Sequence, residues 1–228
     1  MSKQIRGNVA IDGPAGAGKS TVARRLASRL DYLYIDTGAM YRALTWKALQ
    51  QGVDLGDERA LKELADTTDI FLKSDEQHQP LVYCEGLNIT AAIRTPLVSR
   101  HVSLVAEKES VRRRLVELQR QMAASNRVVM DGRDIGTYVL PDAPFKFFLT
   151  ASLTERARRR CLEIYNTCRP AELEQVKAEI NQRDIQDSQR QFAPLKPAPD
   201  AVIIDSSQMT IEEVVARLEQ IIYERSGY

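Results

Sequence analysis

The sequence predicts a three-layer α/β fold with a five-stranded parallel sheet between helices, plus a small antiparallel β insertion. Two observations predict the sheet: five short apolar runs have the composition of buried parallel strands, and amphipathic helical patterns separate them. A change of pattern over residues 66–95, where short β-like runs are joined by polar residues, predicts the insertion. In such a fold ligands bind at the carboxyl ends of the strands, so we expect the chemistry at that edge.

The individual elements follow from local patterns. Helix Lys19–Leu30 has Val22 and Leu26 on one face, and a capping box of Thr210 and Glu213 marks the start of the last helix. A further helical repeat begins at Val111. The predicted strands are residues 8–11, 32–35, 127–130, 145–149 and 201–204 in the sheet, and 70–73, 81–85 and 87–90 in the insertion.

Composition and charge restrict the classes of protein to be considered. The chain has 228 residues, 43% hydrophobic and 28% charged, which is typical of one globular domain with an insertion. Its 32 lysines and arginines nearly balance 31 acidic residues, so no overall positive field favours a nucleic-acid polymer as partner. No apolar stretch forms a signal peptide or reaches the roughly 20 residues of a membrane helix, so we expect a cytoplasmic protein without a membrane partner.

A glycine-rich segment directly after the first predicted strand carries the strongest functional signal. It fits G-x-x-x-x-G-K-S/T and opens the first helix, which is the context that a phosphate-binding P-loop requires. Backbone N–H groups of such a loop surround a β-phosphate, and Lys19 is predicted to reach the β- and γ-oxygens as a catalytic residue. The predicted ATP-binding residues are Gly13, Pro14, Ala15, Gly16, Ala17, Gly18, Lys19, Ser20 and Thr21.

Two oxygen-bearing side chains predict a magnesium site beside this loop. Ser20 is expected to bind the ion directly. Asp131, which follows the apolar strand 127–130 and is also a predicted catalytic residue, is expected to bind it through a water molecule. We therefore expect Mg²⁺ to act together with ATP.

A P-loop alone does not identify a function, because GTPase switches, motor ATPases and small-molecule kinases all contain one. No Asp-x-x-Gly stands in a switch position, and the Lys-x-Asp at 73–75 follows Leu72, where guanine-binding proteins have asparagine or threonine. A motor would need many more residues. A small-molecule kinase is the favoured interpretation, with a sibling kinase for AMP, UMP or a non-nucleotide alcohol, and a module that uses ATP as a switch, as alternatives.

Arginines support a kinase that brings two phosphorylated molecules together. The guanidinium fork binds phosphate bidentately, so a cluster of arginines is expected in such an enzyme. Those that lie after predicted strands or on polar helix faces are Arg42, Arg94, Arg112, Arg133, Arg156, Arg159, Arg160, Arg183 and Arg190.

Segments over nearly the whole chain resemble the bacterial cytidylate kinases of the nucleoside-monophosphate kinase family. The matching segments are residues 11–19, 36–42, 93–95, 131–137, 141–144 and 183–195. The resemblance implies transfer of the γ-phosphoryl of ATP to CMP or dCMP by a single P-loop kinase domain over residues 1–228. It also implies a monophosphate-binding insertion at about residues 37–112 and a helical lid at about residues 152–170.

The same resemblance implies roles for individual residues. Arg42, Arg133 and Arg190 are expected to clamp the CMP phosphate, with Arg133 also catalytic, and Arg183 and Asp187 to contact the sugar. Ser103, Arg112 and Asp134 are expected to recognise cytosine, and Thr37 and Tyr41 to lie in the CMP-binding region with Tyr41 lining the base pocket. Arg159 and Arg160 are expected to close on the transferred phosphoryl group as catalytic lid residues.

The chemistry of the bases agrees with the role implied for Asp134. Cytosine has an exocyclic amine donor where uracil has a carbonyl acceptor, so a carboxylate accepts from cytosine and repels uracil. A buried polar group left unpaired by the wrong base can discriminate by ~10⁴. This residue is therefore the predicted source of base selectivity.

The remaining candidate groups predict no chemistry. His78 and His101 match no catalytic pattern, and Cys84, Cys161 and Cys168 have no metal-binding spacing and are expected to be reduced thiols. No heptad or apolar surface pattern predicts a partner chain. We expect a monomer that binds ATP and CMP or dCMP.

Overall fold

The structure is a computed structural model that describes residues 7–75 and 79–227. Its strands are β1 (Val9–Asp12), β2 (Leu33–Asp36), β3 (Ile70–Ser74), β4 (Pro80–Cys84), β5 (Leu87–Asn88), β6 (Val128–Gly132), β7 (Phe145–Thr150) and β8 (Val202–Asp205). Its helices are α1 (Lys19–Leu30), α2 (Thr37–Gln51), α3 (Glu58–Thr67), α4 (Pro96–Ala106), α5 (Glu109–Ser125), α6 (Leu153–Tyr165), α7 (Pro170–Gln189) and α8 (Ile211–Arg225). A short 3₁₀ turn (Ala92–Arg94) and a π turn (Ile135–Val139) complete them.

The main sheet has five strands in the order β2-β6-β1-β7-β8. Strand β1 is parallel to both of its neighbours, with Val9 opposite Val129 on one side and Phe145 on the other. All four residues of β1 are buried, as expected of a central parallel strand covered on both faces. The predicted five-stranded α/β fold is confirmed.

A second, smaller sheet consists of β3, β4 and β5 in antiparallel pairing. Ile70 lies opposite Cys84, and Tyr83 lies opposite Asn88. One face is buried, with Leu72 and Val82 among its residues. The antiparallel insertion predicted from the change of pattern is therefore present.

Of the strands of the main sheet that end one residue later than predicted, three end at an aspartate: Asp12, Asp36 and Asp205. The prediction followed apolar residues, whereas a strand continues for as long as its backbone pairs with a neighbour. Each of these strands therefore delivers a carboxylate to the carboxyl edge of the sheet.

The helix boundaries depend on caps and on burial. The reciprocal capping box at the start of α8 is present, with Thr210 N donating to Glu213 Oε2 at 2.8 Å and Glu213 N donating to Thr210 Oγ1 at 3.3 Å. Helix α7 spans 20 residues and was not predicted as an element. Its buried residues are Val176 and Ile180, so its apolar pattern is weak.

The chain divides into two compact units. Of the described residues, 7–32 and 129–227 form the first unit, and Leu33–Val128 forms the second. Within the first, α1 contacts α8 and α6 contacts α7; within the second, α2 contacts α4 and α3 contacts α5. The described helices include none with the length and apolar character needed to cross a membrane. His78 lies outside the described residues.

Candidate active site

The loop between β1 and α1 turns so tightly that particular positions require glycine. A Cβ atom on Gly13 would lie 2.0 Å from the carbonyl oxygen of Leu149. Gly18 caps α1 with a φ of 86°, in the left-handed region that other residues rarely adopt. The chain thus passes directly from the end of β1 into a helix N-terminus, where backbone N–H groups and the helix dipole favour an anion.

Lys19 is the first residue of α1 and is 6% exposed. Its Nζ donates to the carbonyl oxygen of Pro14 at 2.7 Å. Burial first, and then the positive charge of Arg133, lower the pKa of Lys19 to about 7. A phosphate beside this ammonium would favour its charged form, because an opposite charge acts against both causes.

Ser20 and Asp131 form the oxygen-rich part of the site. Ser20 Oγ donates to Asp131 Oδ2 at 2.9 Å, and Asp131 is buried in β6. A hydroxyl and a carboxylate are ligands that suit Mg²⁺, which also takes phosphate and water oxygens. Within residues 7–75 and 79–227, no cluster of three or more Asp, Glu, His or Cys could hold a metal alone. The pair therefore fits an ion that is shared with a phosphate.

Asp187 on α7 lies between two arginines of the first unit. Its Oδ2 accepts from Arg133 Nε at 2.7 Å, and its Oδ1 lies 3.5 Å from Arg190 Nη1. Burial raises the pKa of Asp187, but the charges of Arg133, Arg190 and Arg183 outweigh it and hold the pKa below its ordinary value. The structure therefore brings together four residues predicted to bind CMP.

Asp134 follows Arg133 and begins the π turn that covers the end of β1. The residue is 4% exposed, so a hydrogen-bond donor that meets its carboxylate would contribute strongly to binding. The next two backbone N–H groups, of Ile135 and Gly136, donate to the two carboxylate oxygens of Asp12 at 2.8 and 2.7 Å. Asp12 thus fixes the turn that carries Asp134.

The second unit holds another group of predicted site residues. Arg42 on α2 donates through Nη1 to Ser99 Oγ at 2.8 Å. Arg112 on α5 is 1% exposed and donates through Nη1 to the carbonyl oxygen of Ala106 at 3.1 Å. Its guanidinium carbon lies 5.3 Å from the centre of the Tyr41 ring, within the range of a cation–π interaction. Tyr41, Arg42 and Arg112 are therefore held in fixed positions by their own unit.

The two predicted lid arginines differ in their surroundings. Arg159 donates through Nη2 to the carbonyl oxygen of Ser206 at 2.7 Å and through Nε to Glu155 at 2.9 Å. Its Nη1 is 3.9 Å from where a Cβ on Gly18 would lie, so it is close to the glycine-rich loop. Arg160 instead forms an ion pair with Glu163 at 2.8 Å and is more exposed. The structure places Arg159 beside the loop, whereas Arg160 is paired with Glu163 of its own helix.

Comparisons with known proteins now identify the family. The model of the family Cytidylate kinase matches residues 9–224. The chain belongs to the cytidylate kinase family. It is 57% identical to the cytidylate kinase of Geobacillus sp. (strain WCH70) over 227 residues, covering 100% of both chains. It is 55% identical to that of Geobacillus thermodenitrificans (strain NG80-2) over 219 residues, covering 96% of this chain and 97% of the relative.

A solved structure with little sequence similarity shares the fold of this cytidylate kinase family member. It is an uncharacterized protein from Eubacterium ventriosum ATCC 27560, with a TM-score of 0.51 and 12% identity. The alignment covers 95% of this chain and 98% of that one. At this level of identity the similarity concerns the fold alone.

The remaining predicted site residues of this cytidylate kinase family member lie on helices α2, α4 and α7. Thr37 is buried at the start of α2, Ser103 is half-buried on α4, and Arg183 lies on α7 one helical turn before Asp187. His101 makes a 2.8 Å contact through Nδ1 with the carbonyl oxygen of Leu97 on its own helix. The three cysteines are free thiols.

Several polar residues that hold the site were not predicted from the sequence. They are Asp12, Ser99, Asp184 and Ser206, which bind the π turn, Arg42, the glycine-rich loop and Arg159 respectively. A carboxylate at the end of an apolar strand was the one signal that could have indicated Asp12. The others are ordinary polar residues whose partners lie far away in sequence.

Proposed function

We propose that this protein transfers the γ-phosphoryl group of ATP to CMP or dCMP, giving ADP and CDP or dCDP. The observation that carries the proposal is the cytidylate kinase match over residues 9–224. The glycine-rich loop with buried Lys19 supports it, because this combination is suited to the triphosphate of the donor. The aspartate-linked arginines support a second phosphorylated substrate.

On the donor side, residues 13–21 bind the ATP phosphates through backbone N–H groups, and the Lys19 ammonium neutralises charge on the β- and γ-oxygens. Ser20 and Asp131, 2.9 Å apart, are the residues that would hold Mg²⁺, with Asp131 acting through a water. When bound, the ion neutralises charge on the β- and γ-phosphates. Kinases of this class generally use Mg²⁺ with ATP.

On the acceptor side, we assign residues in each unit separately. In the first unit, Arg133 and Arg190 bind the CMP phosphate, Arg183 and Asp187 contact the sugar, and Asp134 accepts from the exocyclic amine of cytosine. In the second unit, Arg42 binds the phosphate, Ser103 and Arg112 recognise the base, and Thr37 and Tyr41 line the binding region. The fixed partners of Arg42 and Arg112 support these assignments.

The transfer needs positioning and charge neutralisation rather than a strong base. An oxygen of the CMP phosphate, already ionised at neutral pH, forms a bond to the γ-phosphorus while the bond from that phosphorus to the β–γ bridging oxygen breaks. ADP leaves with the bridging oxygen, and no covalent enzyme intermediate forms. Lys19, Arg133, Arg159 and Arg160 stabilise the negative charge on the transferred group.

Exclusion of water from the site would suppress ATP hydrolysis. We propose that the segment over residues 152–170 acts as a lid, bringing Arg159 and Arg160 to the transferred group. The contact of Arg159 with the Ser206 carbonyl, next to the glycine-rich loop, supports this role for Arg159.

A coupled assay of ADP release tests the proposal, with CMP, dCMP, UMP and AMP compared at equal concentration. We expect CMP and dCMP to give turnover well above UMP and AMP. The Lys19→Met variant, purified in the same way, controls for contaminating kinases. Turnover with CMP no greater than with AMP would contradict the proposal, and tight ATP binding without acceptor-dependent turnover would favour a nucleotide-binding module instead.

A further inference from the structure

Ala15, inside the glycine-rich loop, is held through its two consecutive peptide groups by side chains from the helices α6 and α7. The backbone N–H of Ala15 donates to Asp184 Oδ1 at 3.0 Å. The carbonyl oxygen of Ala15 accepts from Arg156 Nη1 at 2.9 Å. The same Arg156 nitrogen donates to Asp184 Oδ2 at 2.5 Å. Ala15 is thus bracketed by one ion pair, to which neither the loop motif nor the family resemblance assigned a role.

The surroundings of this ion pair make its contacts strong. The side chains of Arg156 and Asp184 are 10% and 17% exposed, so water screens their charges little. A further hydrogen bond holds the Arg156 guanidinium, because its Nε donates to the carbonyl oxygen of Ala151 at 3.0 Å. A Cβ on Gly16 would lie 3.0 Å from the carbonyl oxygen of Arg156, so α6 packs directly on the loop.

The peptide between Pro14 and Ala15 links this ion pair to Lys19. Its N–H end donates to Asp184, and its carbonyl end, on Pro14, accepts from Lys19 Nζ at 2.7 Å. Because a peptide group is planar, fixing its N–H fixes the direction of its carbonyl. The carboxylate on the N–H side also polarises the peptide and strengthens the carbonyl as an acceptor.

We propose that Asp184 and Arg156 are positioning residues for the Lys19 ammonium that meets the ATP phosphates. Asp184 fixes the Pro14–Ala15 peptide, whose carbonyl holds Lys19, and Arg156 acts by holding Asp184 and the carbonyl of the next peptide, Ala15–Gly16. The inference rests on the proposed ATP-dependent kinase activity and deepens it. Asp184 is one helical turn from Asp187, which holds Arg133. Helix α7 therefore carries one carboxylate, Asp184, that holds the glycine-rich loop, and another, Asp187, that holds an arginine proposed to bind CMP.

Steady-state kinetics of Asp184→Asn and Arg156→Met test the proposal, with ATP and CMP varied in turn at saturation of the other. Each substitution removes a charge-assisted hydrogen bond near the loop, so we expect the KM for ATP to rise about tenfold or more. The KM for CMP should change little. In the double variant the KM for ATP should lie close to that of the worse single variant, because the two residues act as one unit.

Matched controls separate positioning from loss of stability. Glu179→Gln makes the same chemical change on an exposed part of α7, and Arg217→Met removes an exposed arginine of α8; both should leave both KM values unchanged. Arg156→Lys, which keeps the positive charge, should recover part of the ATP affinity and serves as the test if Arg156→Met does not fold.

A lower melting temperature with an unchanged KM for ATP would overturn the proposal, since a purely structural pair reduces the amount of active enzyme and not its affinity. Effects that multiply in the double variant would also overturn it. Calorimetric binding of ATP without acceptor keeps the two proposals distinguishable. If wild-type protein bound ATP but showed no CMP-dependent turnover, the kinase function would fail, while weaker ATP binding by Asp184→Asn would still support the positioning role.

Discussion

Asp12 accepts the backbone N–H of Gly136 at 2.7 Å with one carboxylate oxygen while the other accepts the N–H of Ile135 at 2.8 Å. The contact joins the residue before the glycine-rich loop to the turn that carries Asp134. Both oxygens are needed, because two consecutive N–H groups would otherwise be buried without an acceptor. A single carboxylate thereby ties the proposed donor and base-recognising segments of the first unit together.

Asp12→Asn should lower the free energy of unfolding and raise the KM for CMP more than the KM for ATP. The amide presents one oxygen and one NH₂ group, so one backbone N–H faces a donor instead of an acceptor, at a cost of about 1–3 kcal/mol. Denaturant unfolding and the two KM values measure these effects. Asp142→Asn, an exposed carboxylate in the same unit, is the control. Equal stability of Asp12→Asn and wild type would show that the contact is dispensable.

The stability difference between wild type and Asp12→Asn should depend on pH. Burial first raises the pKa of Asp12, against the two backbone hydrogen bonds, from 3.8 to about 7. The folded state then holds this proton more tightly than the unfolded state, so the contribution of Asp12 to stability is complete below about pH 3.8 and declines towards pH 7. The difference in unfolding free energy should therefore shrink between pH 5 and pH 7, and a difference that grows would contradict this assignment.

Lys19→Met should abolish turnover with every acceptor and yet stabilise the nucleotide-free protein. The substitution removes a buried charge whose pKa is lowered to about 7 by burial and by Arg133. Each kcal/mol gained would raise the melting temperature by about 2–4 °C in a chain of this size. Thermal melting without nucleotide measures the effect. Retained activity would refute the role of Lys19, and a lower melting temperature would refute the account of its burial.

We expect the Asp131→Asn variant to need more Mg²⁺ for its activity than the wild type. The asparagine oxygen can still accept from Ser20 Oγ, which lies 2.9 Å from the carboxylate, while the charge that attracts the cation is lost. We expect the Mg²⁺ concentration for half-maximal activity to rise about tenfold, and excess chelator to abolish activity in both proteins. An unchanged Mg²⁺ requirement would remove Asp131 from the metal site.

Local patterns predicted the parts of the fold that local chemistry determines. Helix α1 begins and ends at Lys19 and Leu30 as predicted, because a glycine cap precedes it and its apolar face repeats regularly. The Thr210 and Glu213 box is likewise a contact between neighbours in sequence. The glycine-rich loop could be recognised because its glycines and its lysine lie within nine consecutive residues.

The contacts that hold the site could not be predicted from the sequence, and the reason is physical. Ala15 and Asp184 are 169 positions apart, and Asp12 and Gly136 are 124 apart. No periodicity or spacing relates such pairs, because they are set by the packing of α7 and of the π turn. Arg156 was grouped with arginines available to an anion, whereas in the structure it is buried and paired with Asp184.

Arg190→Met should lower kcat/KM for CMP and leave the affinity for ATP almost unchanged. It removes the charged hydrogen-bond donor that we propose for the CMP phosphate, worth about 1.5–3 kcal/mol, or roughly 10- to 150-fold in kcat/KM for CMP. It also takes away a positive charge that lowers the pKa of Asp187. Kinetics with CMP varied, beside calorimetric ATP binding, measure both effects. A comparable loss of ATP affinity would contradict a role confined to the acceptor.

Asp134→Ala should narrow the preference for CMP over UMP. At 4% exposure, the carboxylate can accept from the exocyclic amine of cytosine with little competition from water, and it repels the carbonyl of uracil. Removing it takes away both the attraction and the repulsion, so kcat/KM should fall for CMP and rise or stay constant for UMP. The ratio of the two kcat/KM values is the measurement.

The Asp142→Asn variant controls for loss of a negative charge in the same unit, and the melting temperature of Asp134→Ala shows whether the fold is retained. A fall in activity with both nucleotides by the same factor would indicate a structural role for Asp134. An unchanged ratio would remove it from base recognition. Ser103 and Arg112 of the second unit, where Arg112 lies against Tyr41, would then remain as the residues that we propose to recognise the base.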